Sequence, residues 1–139
     1  MVRETPLPAP LAAAMRRLRE AWPKRGWSWD GRLTCVASSF GVDLVSEARS
    51  AIVLALPHEW THRTVKSAPA AVVEVAEATG GLRPDQILFA SDPVEATFAY
   101  GLWWPWGDDV TISLRIGLVG RARDSAQQSF RELFGATFD

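Results

Sequence analysis

The stretch TFAYGLWWPWGDDVTISLRIGL, residues 97–118, predicts a β-hairpin. Phe98, Tyr100, Leu102 and Trp104 alternate with Thr97, Ala99, Gly101 and Trp103, and a second alternation follows the turn at Pro105–Asp109. In the second half, apolar residues occupy one face and polar residues the other: Val110, Ile112, Leu114, Ile116 and Leu118 against Thr111, Ser113 and Arg115. A period of two is typical of a strand with one buried face. In the first strand we expect Tyr100, Leu102 and Trp104 to face the core and Trp103 to point away from it.

Elements on both sides of this hairpin predict the rest of the fold. The spacing of Leu11, Met15, Leu18 and Trp22 predicts a first helix, and Phe130, Leu133 and Phe134 predict a last one. Between them we expect strands at 33–38, 42–47, 51–56 and 87–90, a short helix at 58–66 and a longer helix at 67–79. The order α-β-β-β-α-β-β-β-α predicts an α+β two-layer sandwich, with a mainly antiparallel sheet of five to six strands and three main helices.

Length and composition limit the class of protein. At 139 residues the chain fits one domain, which we expect over 11–139 after a flexible, proline-rich tail at 1–10. No apolar run approaches the roughly 18 residues of a membrane span, and arginines interrupt the N-terminal region where a secretory signal needs apolar residues. A single cysteine, Cys35, fits a reducing compartment. We therefore expect a cytoplasmic protein with no membrane partner.

The motif His58-Glu59-Trp60-Thr61-His62 has the H-E-x-x-H spacing of zinc metalloproteases. On a helix, His58 and His62 would lie on one face as zinc ligands, and Glu59 would act as the base that deprotonates a bound water. This gives one functional alternative: a small zinc-dependent hydrolase, metalloprotease-like, with zinc as its cofactor.

Three features favour the opposite interpretation of this motif. Pro57 precedes it directly, and Ser67 with Pro69 ends the predicted helix after about three turns. Polar residues follow the motif, and the chain has only two histidines, so no third ligand is recognisable. Our leading expectation is that the protein has no metal, no cofactor and no catalytic residues.

Tryptophans and acids meet at the hairpin tip, in the sequence Trp103-Trp104-Pro105-Trp106-Gly107-Asp108-Asp109. Tryptophan is enriched at binding hot spots, so we expect Trp103 and Trp106 to contact a partner, with Asp108 and Asp109 steering a basic surface towards them. The alternative is that these rings close a small core. Residues 84–114 contain five acids and no lysine or arginine, which argues against a nucleic-acid partner.

The predicted element order resembles that of type III secretion chaperone-like domains, and less closely that of roadblock and longin modules, which have two strands before the middle helix. This resemblance rests on the order of elements over most of the chain and on no signature residue. It implies a non-enzymatic protein that binds other proteins, commonly as a dimer. The sequence therefore predicts a non-catalytic protein-binding, chaperone-like or adaptor-like module that uses an exposed sheet face and the tryptophan-rich hairpin. The expected partner is another protein or peptide, or a second copy of the chain.

Overall fold

The computed structural model describes residues 4–138, in which the chain forms one mixed sheet and four α-helices. The helices are α1 (Ala9–Ala21), α2 (Val45–Val53), α3 (Ala70–Ala78) and α4 (Gln127–Phe134). The strands are β1 (Ser28–Asp30), β2 (Cys35–Gly41), β3 (His58–Thr61), β4 (Ile87–Ala90), β5 (Thr97–Pro105), β6 (Thr111–Gly120) and β7 (Thr137–Phe138). Their order in the sheet is β3-β4-β5-β6-β2-β1-β7, and only the β1–β7 pair is parallel. The predicted class, an α+β sandwich on a mainly antiparallel sheet, is confirmed.

The hairpin of β5 and β6 is the centre of the sheet. Its register pairs Trp103 with Leu114 and Trp104 with Ser113 across the two strands. Residues paired directly across an antiparallel ladder project on the same side of the sheet. Trp103 therefore shares a face with Leu114, whereas Trp104 shares the opposite face with Ser113.

The closed face is the side of the sheet that carries the main core. It is built by Val36, Phe40, Phe89, Trp103, Leu114 and Ile116, which are at most 5 % exposed. Three helices cover it with a continuous cluster of apolar side chains, among them Leu11, Met15 and Leu18 from α1, Ile52 from α2, and Phe130 and Phe134 from α4. Because each helix repeats its apolar residues every three to four positions, one stripe of each lies against the strands.

The open face is the other side of the sheet, and α3 covers only part of it. Val72, Val75 and Ala76 of α3 form a separate small cluster with Leu88 of β4. Further along this face, Ala37, Ser39, Thr111 and Arg115 are only half-buried. The open face therefore combines one packed end with one accessible end.

Two predicted strands at 42–47 and 51–56 are wrong, because this segment forms a short 3-10 turn (Val42–Leu44) followed by α2. Ala48, Ala51 and Ile52 are fully buried, and their spacing is that of one helix face. A short apolar run does not distinguish a buried strand from a buried helix by periodicity.

The predicted helix at 58–66 is also wrong. Residues His58–Thr61 form β3, an edge strand that pairs with β4, and a 3-10 turn at Val65–Ser67 follows. Pro57 stands before the strand, where its missing N–H leaves no ladder position unpaired. The Thr64 hydroxyl accepts the backbone N–H of Thr61 (2.9 Å), which turns the chain at the end of the strand.

The N-terminal segment is held against α4. The Thr5 N–H donates to the Ser125 carbonyl (2.8 Å), the Leu7 N–H donates to the Ser129 hydroxyl (3.1 Å), and the Leu7 side chain is buried. Helix α1 already begins at Ala9. The structure therefore places residues 5–10, part of the tail predicted at 1–10, against the α4 region and in the start of α1, and residues 1–3 lie outside the described residues. In the described part of the chain, every helix is too short or too polar to cross a membrane.

Candidate functional site

Trp103 lies in the core, and the prediction that it is exposed is wrong. Its side chain is 5 % exposed, and its ring meets that of Phe40 edge to face with a centroid distance of 5.4 Å. Gly101 lies on the same side of β5 as Trp103, and this side is the core side although its residue is small. A Cβ added at Gly101 would approach Leu56 Cδ1 to 2.8 Å. Gly101 is therefore small because Leu56 packs closely on it, and the larger residues of β5 do not mark the core side.

Trp106 lies in the hairpin turn and is 49 % exposed, as the sequence predicts for a turn residue. Its Nε1–H donates to the Ser113 hydroxyl (2.7 Å), and Ser113 lies 2.8 Å from the hydroxyl of Ser39. This bond fixes one edge of the indole on the open face and leaves about half of the side chain accessible.

Two more large apolar residues are exposed in segments that backbone hydrogen bonds join at this end of the hairpin, namely Val42 (46 % exposed) and Val110 (56 % exposed). The backbone N–H of Val42 donates to the Val110 carbonyl (3.0 Å), and that of Trp106 donates to the Thr111 carbonyl (2.8 Å). We call Val42, Trp106 and Val110 the tip patch. Because these backbone bonds join the three segments, the patch is part of the folded framework.

Carboxylates surround the tip patch. Asp108 Oδ1 accepts the N–H groups of Val110 (3.0 Å) and Thr111 (2.9 Å), and Oδ2 accepts the Thr111 hydroxyl (2.8 Å). These bonds, that of Val110 first, lower the pKa of Asp108 below its ordinary value. Asp109 and Asp43 are exposed, and a cation, Lys24, lies one strand away on the Ser39 carbonyl. Asp108 therefore shapes the turn, and the surrounding charge is mainly negative.

The strand conformation separates the side chains of the HEWTH motif. Along β3, His58 projects to the open face, where its Nε2 lies 2.6 Å from Asp92 Oδ1. Glu59 projects to the other side and pairs with Arg49 (3.3 Å). His62 lies beyond the strand, and its buried Nδ1 has no hydrogen-bond partner. The single helix face required by the zinc alternative is absent, and residues 4–138 contain no cluster of three or more His, Cys, Asp or Glu that could hold a metal ion.

A groove that the sequence did not predict lies between α3 and the open face. Its volume is about 520 Å³. Helix α3 forms one wall, β5 and β6 form the floor, and the β1–β2 turn with Arg32 and Leu33 forms the other wall. These elements are distant in sequence, and the groove exists only because α3 packs on this part of the sheet. The sequence alone therefore gives no sign of it.

Charge and burial set the chemistry of the groove floor. Arg115 pairs with Asp30 (3.0 Å). Burial alone would raise the pKa of Asp30, but the N–H groups of Leu33 and Arg32, together with Arg115, lower it. Burial raises the pKa of the Cys35 thiol, and burial raises that of Tyr100 to about 12. Both groups are therefore neutral near pH 7, which makes Cys35 a poor nucleophile.

Comparisons with protein-family models, with curated proteins and with solved structures found no match to this chain.

Proposed function

We propose that this protein is a non-catalytic protein-binding module, of the adaptor or chaperone-like kind, and that the tip patch is its contact surface. The observation that carries the proposal is that Val42, Trp106 and Val110, each about half exposed, lie on segments that backbone hydrogen bonds join at one end of the sheet. Exposed apolar residues that are contiguous mark interaction sites more often than scattered ones do. The buried, neutral Cys35 supports a reducing compartment, and we propose the cytoplasm as the place of action.

The rigidity of the tip patch favours binding. The Trp106 indole is already fixed by Ser113, and the turn is fixed by three hydrogen bonds to the Asp108 carboxylate. A side chain that is ordered before association loses less conformational entropy when the partner arrives. Tryptophan also contributes a large contact area, which explains its frequency at hot spots.

The acids around the tip patch define the partner. We propose a protein segment that presents an apolar side chain flanked by lysines or arginines. Asp109 and Asp43 would attract such a segment from a distance, and the apolar contact would hold it. Because these charges are exposed, salt should slow association more than it speeds dissociation. In this proposal Trp103 is a core residue that supports the hairpin, and it does not touch the partner.

The test is capture of the partner by the immobilised full chain from a lysate of the source cells, with a matched control. The tip variant is Trp106→Ala with Val110→Ser. The control is Val53→Ser with Leu54→Ser, which removes two apolar side chains that are equally exposed, 51 % and 49 %, near the end of α2. We expect wild type and control to retain the same protein and the tip variant to lose it.

Two outcomes would contradict the proposal. The first is a partner retained equally by wild type and tip variant when both are folded. The second is a partner whose capture by wild type is unchanged between 50 mM and 500 mM salt, since the acids would then have no steering role. Light scattering of the purified protein distinguishes a second copy of the chain from a different partner.

A further inference from the structure

The groove under α3 has the dimensions and the composition of a small-molecule site. Its volume of about 520 Å³ falls within the roughly 300–1,000 Å³ of such sites. Most of its lining is apolar, contributed by Ala71, Val75 and Ala78 of α3 and by Leu102 and Trp104 of β5. Trp104 is half-buried and has no ring contact with another aromatic residue of the described chain, so one surface of its side chain is available.

The polar groups that line the groove are mainly donors. Arg32 is exposed, and its guanidinium has no partner within residues 4–138. Tyr100 stays protonated, and its hydroxyl likewise has no hydrogen-bond partner in the described chain. The Tyr100 ring lies directly over Gly117, where an added Cβ would come within 2.7 Å of it, so this side chain has a fixed place in the groove.

Of the three arginines that line the groove, Arg32 is the one whose guanidinium has no partner within the described residues. Arg115 is neutralised by Asp30, and Arg123 is shared between Asp124 (3.2 Å) and the Thr34 hydroxyl (3.1 Å). Glu74 is the carboxylate at the rim, on the exposed side of α3. One unpaired guanidinium and one neutral hydroxyl donor match a ligand with a single carboxylate better than a cation or a neutral molecule.

We propose that the groove binds a small carboxylate with an aliphatic or aromatic body. The carboxylate accepts hydrogen bonds from Arg32 and Tyr100, and the apolar body lies between Val75 of α3 and Trp104. This site is on the open face and is separate from the tip patch, so it stands or falls independently of the protein-binding proposal.

The experiment is calorimetric titration of the full chain with decanoate, with decanol and decylamine as the neutral and cationic analogues of the same length, and with 1-naphthoate as an aromatic carboxylate. We expect one equivalent of decanoate or 1-naphthoate to bind. Decanol and decylamine should bind at least about tenfold more weakly, because loss of a charge-assisted hydrogen bond has at least that effect.

Variants locate the site. Arg32→Gln should weaken carboxylate binding about tenfold or more and leave decanol binding unchanged, whereas Arg121→Gln, an exposed arginine outside the groove lining, should change neither. Ala78→Trp fills the groove from an exposed position of α3 and should abolish binding without unfolding the protein. The proposal is overturned if no carboxylate binds at 1 mM, if decanol binds as well as decanoate, or if folded Arg32→Gln or Ala78→Trp binds like wild type.

Discussion

The two faces of the sheet differ in how completely helices cover them. On the closed face, α1, α2 and α4 enclose side chains such as Phe40 and Leu114 that are at most 2 % exposed. On the open face, α3 covers one end and leaves a groove, and Trp104 and Arg115 remain half-buried. One strand, β5, contributes alternate residues to both.

The two faces therefore differ in how much they contribute to the free energy of folding and in how accessible their side chains are. Burial of large apolar side chains on the closed face supplies most of the folding free energy, since stabilisation scales with the apolar area removed from water. Partly covered polar and aromatic groups on the open face contribute less to stability and remain accessible to ligands. Neighbouring tryptophans should therefore respond differently to the same substitution.

The largest expected effect is that of Trp103→Ala. Removing a buried aromatic ring from the closed face should lower the free energy of unfolding by about 3–5 kcal/mol. Trp104→Ala, one residue further and on the open face, should cost less than half as much because Trp104 is only half-buried. Urea denaturation of both variants measures the comparison, and equal losses would mean that the two faces contribute alike.

The second effect tests β6 in the same way. Leu114 is fully buried on the closed face, so Leu114→Ala should cost about 2–5 kcal/mol. Thr111→Ala, on the open face, loses one hydrogen bond to Asp108 and should cost about 1 kcal/mol. Denaturation midpoints that coincide for these two variants would show that the face assignment of β6 is wrong.

The pH dependence should reveal a smaller contribution from the open face. The N–H groups of Leu33 and Arg32, together with Arg115, lower the pKa of Asp30 in the folded state. The ionised Asp30 carboxylate therefore stabilises the protein fully above its unfolded pKa of about 3.9. That stability is lost as the pH falls through the folded pKa. Asp30→Asn should therefore be less stable than wild type at pH 6, and the gap should narrow below about pH 4. A gap that is constant between pH 6 and pH 3 would contradict this role.

The smallest expected effect concerns β3, where the sheet itself separates the motif residues. Because His58 and Glu59 point to opposite faces, we predict no stoichiometric zinc in protein purified without chelator. Elemental analysis of wild type and His62→Ala should give the same low zinc content. One equivalent of zinc in wild type, lost in His62→Ala, would restore the hydrolase alternative.

The longest pattern in the sequence predicted the structure best. The alternation over β6 predicted the hairpin and the closed-face position of Leu114, because ten residues of period two leave little ambiguity. At α2 the predicted strand is wrong, because the apolar run around Ala51 and Ile52 is too short to distinguish a period of two from a helical period. The predicted face of Trp103 is wrong because the face of each β5 residue depends on the register across the turn, and Trp103 pairs with Leu114.

The candidate sites likewise include residues that a local pattern can predict and residues that only the folded sheet brings together. The exposed position of Trp106 follows from its place in a turn, so the sequence could indicate it. The contributions of Val42 and of Arg32 depend on which distant segments the sheet brings together. No local spacing encodes such neighbours, since long-range pairing decides them.

Oxidative footprinting of the tryptophans, before and after addition of the protein recovered by capture, tests the central claim most directly. In the free protein we expect Trp106 to be oxidised fastest, Trp104 more slowly and Trp103 hardly at all, in the order of their exposure. Partner binding should protect Trp106 and leave Trp104 unchanged. Protection of Trp104 with Trp106 still reactive, or rapid oxidation of Trp103 in the folded free protein, would contradict the account.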